Sequence, residues 1–433
     1  MVSSVIRNNK LSSCIHTALR GAGLGLLVCS ASPVIGNEVH NGISDKGFED
    51  DGVTLRVPAS NTKVTLSGYV KGDFIYDDSS DLGDSFGFSS IPFDDTAEDD
   101  EDGHVRFHAR QSRLRVLSET DIGSQKLKTQ FEGDFFGGGG NETFSNSASF
   151  RIRHANVSIG NWTFGQGWTN FMDFVAYPST LDFFGPIGKS FARQGMIKYA
   201  HSSGFSVSLE NPDTDGQGLL GRLRESTGGA GVDRLPDLTA AWRGGPGGAG
   251  GSYEFSGVLR TLGVDGAIDL DSDGADDIDV DETEVGWGVN LAGGWGFGAN
   301  SFSASVTFGD GIGRYIIGGA ANDVFVNDDG SIDTVESFAL AASYKRDWTA
   351  NTSSLIAVGY FENDDPDASN GTEDIFSLHV NYKWAPFDGT TLGGELVYGD
   401  RTALGEDPDN PGGPQILRDG DAVRVLFSAQ QNF

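Results

Sequence analysis

The sequence predicts an all-β protein: a transmembrane antiparallel β-barrel of about sixteen strands, with short periplasmic turns and long extracellular loops. Three observations predict it. Apolar and polar residues alternate in segment after segment, which places one kind on each face of a strand. No apolar run after residue 36 is long enough for a helix to cross a bilayer. The connections alternate short and long through the whole chain. Glycine at 63 of 433 residues is about twice ordinary usage, as many turns require.

Taken in order, the chain opens on a leader. Arg7, Lys10 and Arg20 are the only charges before Glu38, and Gly21 to Ala31 is an apolar run of signal-peptide length. The run is too short to span a membrane. Residues 1–36 are therefore expected to be an export signal, cut between Ala31 and Asn37. Both cysteines, Cys14 and Cys29, fall inside it. The remainder then has no disulfide, thiolate ligand or thiol nucleophile. Residues 37–62 read as a short periplasmic segment and 63–433 as the barrel.

The first strand sets Val64, Leu66, Val70, Phe74 and Tyr76 against Lys63, Thr65, Ser67, Lys71 and Asp73. Fifteen similar segments follow, near 105–121, 126–137, 149–160, 162–168, 191–201, 204–211, 235–244, 251–263, 283–296, 300–309, 334–347, 351–362, 373–385, 389–400 and 420–433. The turns near Gly160-Asn161, Gly296–Asn300, Asp347–Asn351 and Pro386–Gly389 are short, while the loops between them are long. A soluble sandwich can alternate faces but has no reason to sort its loops by length. A closed barrel in lipid has a reason for both, since closure satisfies every strand edge. Trp162, Tyr199, Trp348, Tyr360, Trp384 and Phe433 at strand ends suit interfacial girdles. Sixteen strands leave room for an aqueous lumen.

The chain carries 30 Lys+Arg against 62 Asp+Glu, a net charge of −32, which argues against a nucleic-acid partner. The acids crowd into the loops and the cations into the strands. A charge facing lipid at mid-membrane costs roughly 2–4 kcal/mol, so the strand cations belong in the lumen. Arg110, Arg113, Arg115, Arg151, Arg153 and Arg193 are the candidate pore-lining residues. Such a wall favours anions, because arginine grips a carboxylate bidentately. The alternative is that these arginines pair with Asp73, Glu132, Asp134 and Glu395 and only stiffen the wall. Alternation slips twice, near Gln111-Ser112 and between Arg153 and Val157, and a bulge would explain each.

The segment Thr169 to Ser190 is aromatic, with Asp173, Asp182 and Lys189 as its charges. It is expected to fold into the barrel as a constriction loop. Residues 269–274 match the opening of a calcium loop through Asp269, Asp271, Asp273 and Gly274. Val280 stands where that motif needs a bidentate Glu, so a solvated acidic loop is the better reading. No phosphate loop, dinucleotide fingerprint or nucleophile elbow appears, and neither enzyme activity nor a cofactor is expected. Three function classes remain: a diffusion channel, a non-conducting structural or adhesive barrel, and a barrel-embedded hydrolase for which no constellation is visible.

FRIRHANVSIG at 150–160, FGQGWTNFMD at 164–173, YPSTLDFFGP at 177–186 and FARQGMIKYA at 191–200 resemble the DcaP-like porins of Gram-negative bacteria. NTKVTLSGYVKGDFIYD at 61–77 and HARQSRLRV at 108–116 are similar to that family's first two strands. The resemblance implies an outer-membrane homotrimer of sixteen-stranded barrels, set in lipid and lipopolysaccharide, that takes up small anions including dicarboxylates. It also implies that Arg113, Arg115, Arg151, Arg153 and Arg193 line the pore, with Asp173 and Asp182 on the inward loop. Some members carry a coiled-coil arm before the barrel. Residues 37–60 show no heptads, so that arm is not expected here.

Overall fold

The computed structural model describes residues 52–58, 60–138, 145–214, 216–218, 221–223, 231–268, 278–318, 322–327, 329–363, 372–408 and 415–433. The leader with Cys14 and Cys29, residues 37–51, and Asp269, Asp271 and Asp273 lie outside the described residues.

Sixteen strands form one closed antiparallel sheet. They are β1 (Thr62–Asp77), β2 in two pieces (His104–His108 and Arg113–Ile122), β3 (Gln125–Gly137), β4 (Ser149–Ile159), β5 (Trp162–Trp168), β6 (Arg193–Ala200), β7 (Phe205–Glu210) and β8 (Asp237–Gly244). The second half comprises β9 (Ser252–Ile268), β10 (Ile278–Phe297), β11 (Asn300–Asp310), β12 (Glu336–Thr349), β13 (Thr352–Asn363), β14 (Thr372–Trp384), β15 (Thr390–Gly405) and β16 (Ile416–Asn432). Each strand pairs with the next in sequence. β16 closes on β1 from Tyr69↔Asn432 to Asp77↔Arg424.

At the seam, Phe433 ends the chain opposite Gly68, exchanging two backbone hydrogen bonds of 3.1 Å with it. Beyond that point β1 would have a bare edge. The short strand Val53–Arg56 covers it, pairing antiparallel with Lys63–Leu66. Part of the N-terminal segment therefore belongs to the sheet.

Burial is inverted relative to a water-soluble protein. Val70, Phe107, Leu259, Val285 and Phe427 are more than half exposed, while Lys71, Asp73, Glu132, Arg260 and Arg424 are buried. The apolar face of the sheet looks outward and the polar face inward, as a barrel solvated by lipid requires. Trp162, Trp348, Trp384 and Phe433 are exposed at the short-turn ends. Tyr360 is a correction: it is only 7% exposed, so it does not join an exposed girdle.

Both slips of alternation have a local cause. β2 breaks between His108 and Arg113, where the Ser112 N–H bonds the Ala109 carbonyl at 3.0 Å. In β4 the register passes from Glu132↔His154 to Gly133↔Ile152, leaving Arg153 as the extra residue of a bulge. Arg153 and the neighbouring His154 are both buried.

β9 and β10 run 17 and 20 residues, well beyond the ~9–11 a membrane strand needs. Their far ends pack Leu262, Val264 and Val280 against Val324, Val326 and Ile332. The last three belong to a separate four-stranded patch built from loop segments.

Candidate functional site in the barrel lumen

Residues 169–192 leave β5 and cross the interior, tethered to strands far apart in the sheet. Glu210 on β7 accepts the Asn170 N–H at 2.8 Å, and Glu254 on β9 accepts that of Phe174 at 2.9 Å. Glu395 on β15 accepts from Leu181 and Asp182 at 2.6 and 3.1 Å. Ser377 on β14 takes the Ile187 N–H at 3.1 Å. Backbone donors cut off from water need such partners. Close approach to the wall depends on two glycines. Gly188 has φ +86°, and a Cβ there would lie 2.4 Å from the Tyr360 carbonyl oxygen. A Cβ on Gly359 would lie 2.1 Å from the Ile187 carbonyl oxygen.

Two further loops fold in beside it. Leu82, Phe86, Phe88 and Ile91 of the first long loop join Phe171 and Ile187, with Ile312, Tyr315 and Ile316 completing one apolar cluster. Sequence reasoning weighed residues 77–104 by their acids and missed this. The signal was present in the run Phe86–Phe93, which holds no charge.

The charges expected on the inward loop are all buried in its packing. Asp173 accepts the Ala176 N–H at 2.9 Å, and burial raises its carboxyl above the ordinary carboxylate value. Asp182 accepts the N–H groups of Phe86 and Phe184 at 2.9 and 3.0 Å. Lys189 donates to the Phe184 carbonyl and lies 4.2 Å over the Tyr177 ring. Burial pushes its ammonium down to about 7.

Three wall arginines clip the loops down. Arg424 grips Asp77 at 2.7 and 2.9 Å, reaches Asp182 at 3.3 Å and donates to the Gly83 carbonyl at 2.7 Å. Arg243 pairs with Glu254 at 2.6 Å and donates to the Asn170 and Met172 carbonyls. Arg260 pairs with Asp237 and Asp323 at 3.2 and 2.7 Å and donates to the Gly311 carbonyl. A fully buried guanidinium is tolerable only with this degree of compensation.

The arginines singled out from the sequence form a second group. Arg110 pairs with Asp84 at 2.6 Å, beside the first long loop. Arg151 grips Asp134 at 2.9 and 2.8 Å. Arg153 reaches Glu132 and Asp134 at 2.8 and 3.1 Å, and Arg113 approaches Glu132 at 3.6 Å. Arg115 and Arg193 are half-buried and, among the described residues, form no ion pair. Arg193 keeps Nε and Nη1 buried and unbonded. Its guanidinium lies 4.9 Å from the Trp168 ring centroid and 5.7 Å from that of Phe191.

A cavity of about 540 Å³ lies between this wall and the inward loop. Arg113, Arg153, Trp168, Tyr177, Phe183 and Phe191 border it on one side, and it reaches Lys345, Lys383 and the turn Asn351-Thr352 toward the short-turn end. His201 meets Ser203 at 2.9 Å in an exposed turn and caps it. His379 is held by Glu395 at 3.1 Å.

The family model for the DcaP outer membrane protein matches residues 51–408. The outer membrane channel DcaP of Acinetobacter baumannii is 23% identical, with a TM-score of 0.69 over 88% of this chain and 99% of that one. The anion-selective porin from Comamonas acidovorans is 16% identical, with a TM-score of 0.51 over 86% and 100%. Salmonella typhi OmpF, solved with daunomycin, is 10% identical, with a TM-score of 0.53 over 88% and 100%. No curated protein sequence matches the chain. With a matching family model across most of its length and a closed sixteen-stranded barrel whose outer face is apolar, the chain belongs to the DcaP outer membrane protein family, porin-like channels of the Gram-negative outer membrane.

Proposed function

We propose that the chain is a passive diffusion channel for small hydrophilic solutes that favours small anions such as dicarboxylates. The observation that carries this reading is the basic wall. Arg113, Arg151 and Arg153 share two acids, Glu132 and Asp134, while Arg115 and Arg193 have none among the described residues. Cationic charge is left over beside a water-sized path, where it raises the local anion concentration. Arg110, tied to Asp84, stands at the loop end of the same wall. Residues 169–190 constrict the path. Residues 1–36 act as the export signal, and the mature chain works as a homotrimer in lipid and lipopolysaccharide.

Reversal potential in a KCl gradient across planar bilayers tests this. Wild type should pass chloride in preference to potassium. Arg193→Gln, and Arg113→Ala with Arg151→Ala, should each lower that preference. A cation-preferring pore would sink the anion reading while leaving the channel intact. Electrical silence from correctly folded protein would favour a non-conducting barrel.

A further inference from the structure

Each arginine of the basic wall that borders the inward loop rests on an aromatic ring. Arg113 lies 5.2 Å from Tyr69, and Arg151 lies 5.3 Å from Phe183 and 5.4 Å from Phe136. Arg153 lies 5.5 Å from Trp168, and Arg193 lies 4.9 Å from the same indole. The two kinds of partner differ in effect. A carboxylate holds a guanidinium and cancels its charge. A ring face holds it through the quadrupole and leaves the charge in place. Indole does this best among side chains.

Trp168 is the ring shared by two cations that otherwise repel each other. It is itself fixed: it pairs with Arg193 across β5 and β6, and its ring meets Phe191 at 4.8 Å and His154 at 5.3 Å, edge to face. It also borders the cavity.

We propose that Trp168 is a positioning residue for anion passage, holding Arg193, which no carboxylate neutralises among the described residues, beside the paired Arg153, so that a passing oxyanion meets a guanidinium with its charge unspent. The proposal rests on the anion-favouring reading above and adds to it the residue that holds the cations in place.

The test compares reversal potentials in a KCl gradient for wild type, Trp168→Leu, Trp168→Phe, Arg193→Gln and the Trp168→Leu/Arg193→Gln double variant. Trp168→Leu should lower the chloride-to-potassium permeability ratio about threefold, as Arg193→Gln does. Trp168→Phe should keep most of the preference, a rescue that simple space-filling would not produce. The double variant should fall no further than Arg193→Gln alone. If Trp168→Leu does not insert as a heat-modifiable barrel, Trp168→Met carries the same reading, since it fills space without a ring. An anion-preferring wild type with unchanged Trp168→Leu or Trp168→Met overturns the proposal and leaves the anion reading standing. A wild type without anion preference overturns both.

Discussion

The lumen holds arginines in two settings, and the contrast shows what each is for. Arg243, Arg260 and Arg424 are buried, and each is matched to one or two carboxylates and at least one loop carbonyl. Their charge is spent on holding loops. Arg113, Arg151, Arg153 and Arg193 rest on rings, but the four share only Glu132 and Asp134 among the described residues, and Arg193 reaches neither. Arg243, Arg260 and Arg424 also lie over rings, those of Phe174, Tyr315 and Phe86, so the difference is in the acids: the same residue type acts as a rivet where carboxylates and carbonyls match it, and keeps charge to spare where cations outnumber acids. A charge census along the sequence cannot separate the two. Beside acids on adjacent strands, each rivet takes a partner from a loop far away in the chain, such as Asp182 for Arg424 and the Asn170 carbonyl for Arg243.

The largest effect should come from breaking a rivet. Arg424→Gln leaves Asp77 and Asp182 buried beside a neutral amide. Removing one member of a buried ion pair costs ~3–5 kcal/mol, so the barrel should unfold at clearly lower temperature, read as loss of the folded band on unheated gels or by circular dichroism. An unchanged melting temperature would show that the first loop and the inward loop hold without the clip. A smaller effect, of the opposite kind, should follow in the basic wall. Glu132→Gln removes the acid shared by Arg113 and Arg153 while Asp134 still holds Arg153 at 3.1 Å. The chloride-to-potassium ratio should rise about threefold, the factor that ~0.6 kcal/mol corresponds to. A fall would mean that Glu132 chiefly keeps Arg153 aimed.

The strands were readable because lipid imposes a strict period of two on every one of them. The breaks at residues 109–112 and at Arg153 were readable as well, since a lost residue of register flips the side-chain pattern. The interior was not readable in the same way. Leu82, Phe86, Phe88 and Ile91 sit among eleven acids between residues 77 and 104, so an average over that loop hides them. Glu210 and Glu254 look like ordinary strand acids, and nothing local marks them as acceptors for backbone N–H groups at residues 170 and 174. Asp173, Asp182 and Lys189 were legible as the charges of an aromatic segment. Their burial depends on how the loop packs, which the spacing of residues does not encode. Arg193 shows the limit of alternation most clearly. It shares the parity of Ile197, exposed on the outer face, yet its guanidinium lies on Trp168 and Phe191 beside the cavity.

Lys189 tests the smallest difference between the two settings. It is a cation on a ring, as in the basic wall, but buried as fully as a rivet, and no carboxylate reaches it within ion-pair distance among the described residues. Burial holds its folded-state value near 7, against 10.5 for the free side chain. Between those two values the unfolded chain binds more protons than the folded one, so stability rises with pH across that window. Below about 7 both states are protonated and the contribution is flat. Asp173 acts with the opposite sign at the acid end: its raised carboxyl lets stability fall as pH climbs from the ordinary carboxylate value through the folded one. The wild-type barrel should therefore melt at higher temperature at pH 9 than at pH 7, by about 2 °C for each kcal/mol. Lys189→Met, which keeps the volume and removes the charge, should make that rise smaller and match or exceed wild type at pH 7. A wild-type melting curve indifferent to pH over this window, or a variant that keeps the same rise, would place the titration elsewhere and leave Lys189 as a satisfied strut of the inward loop.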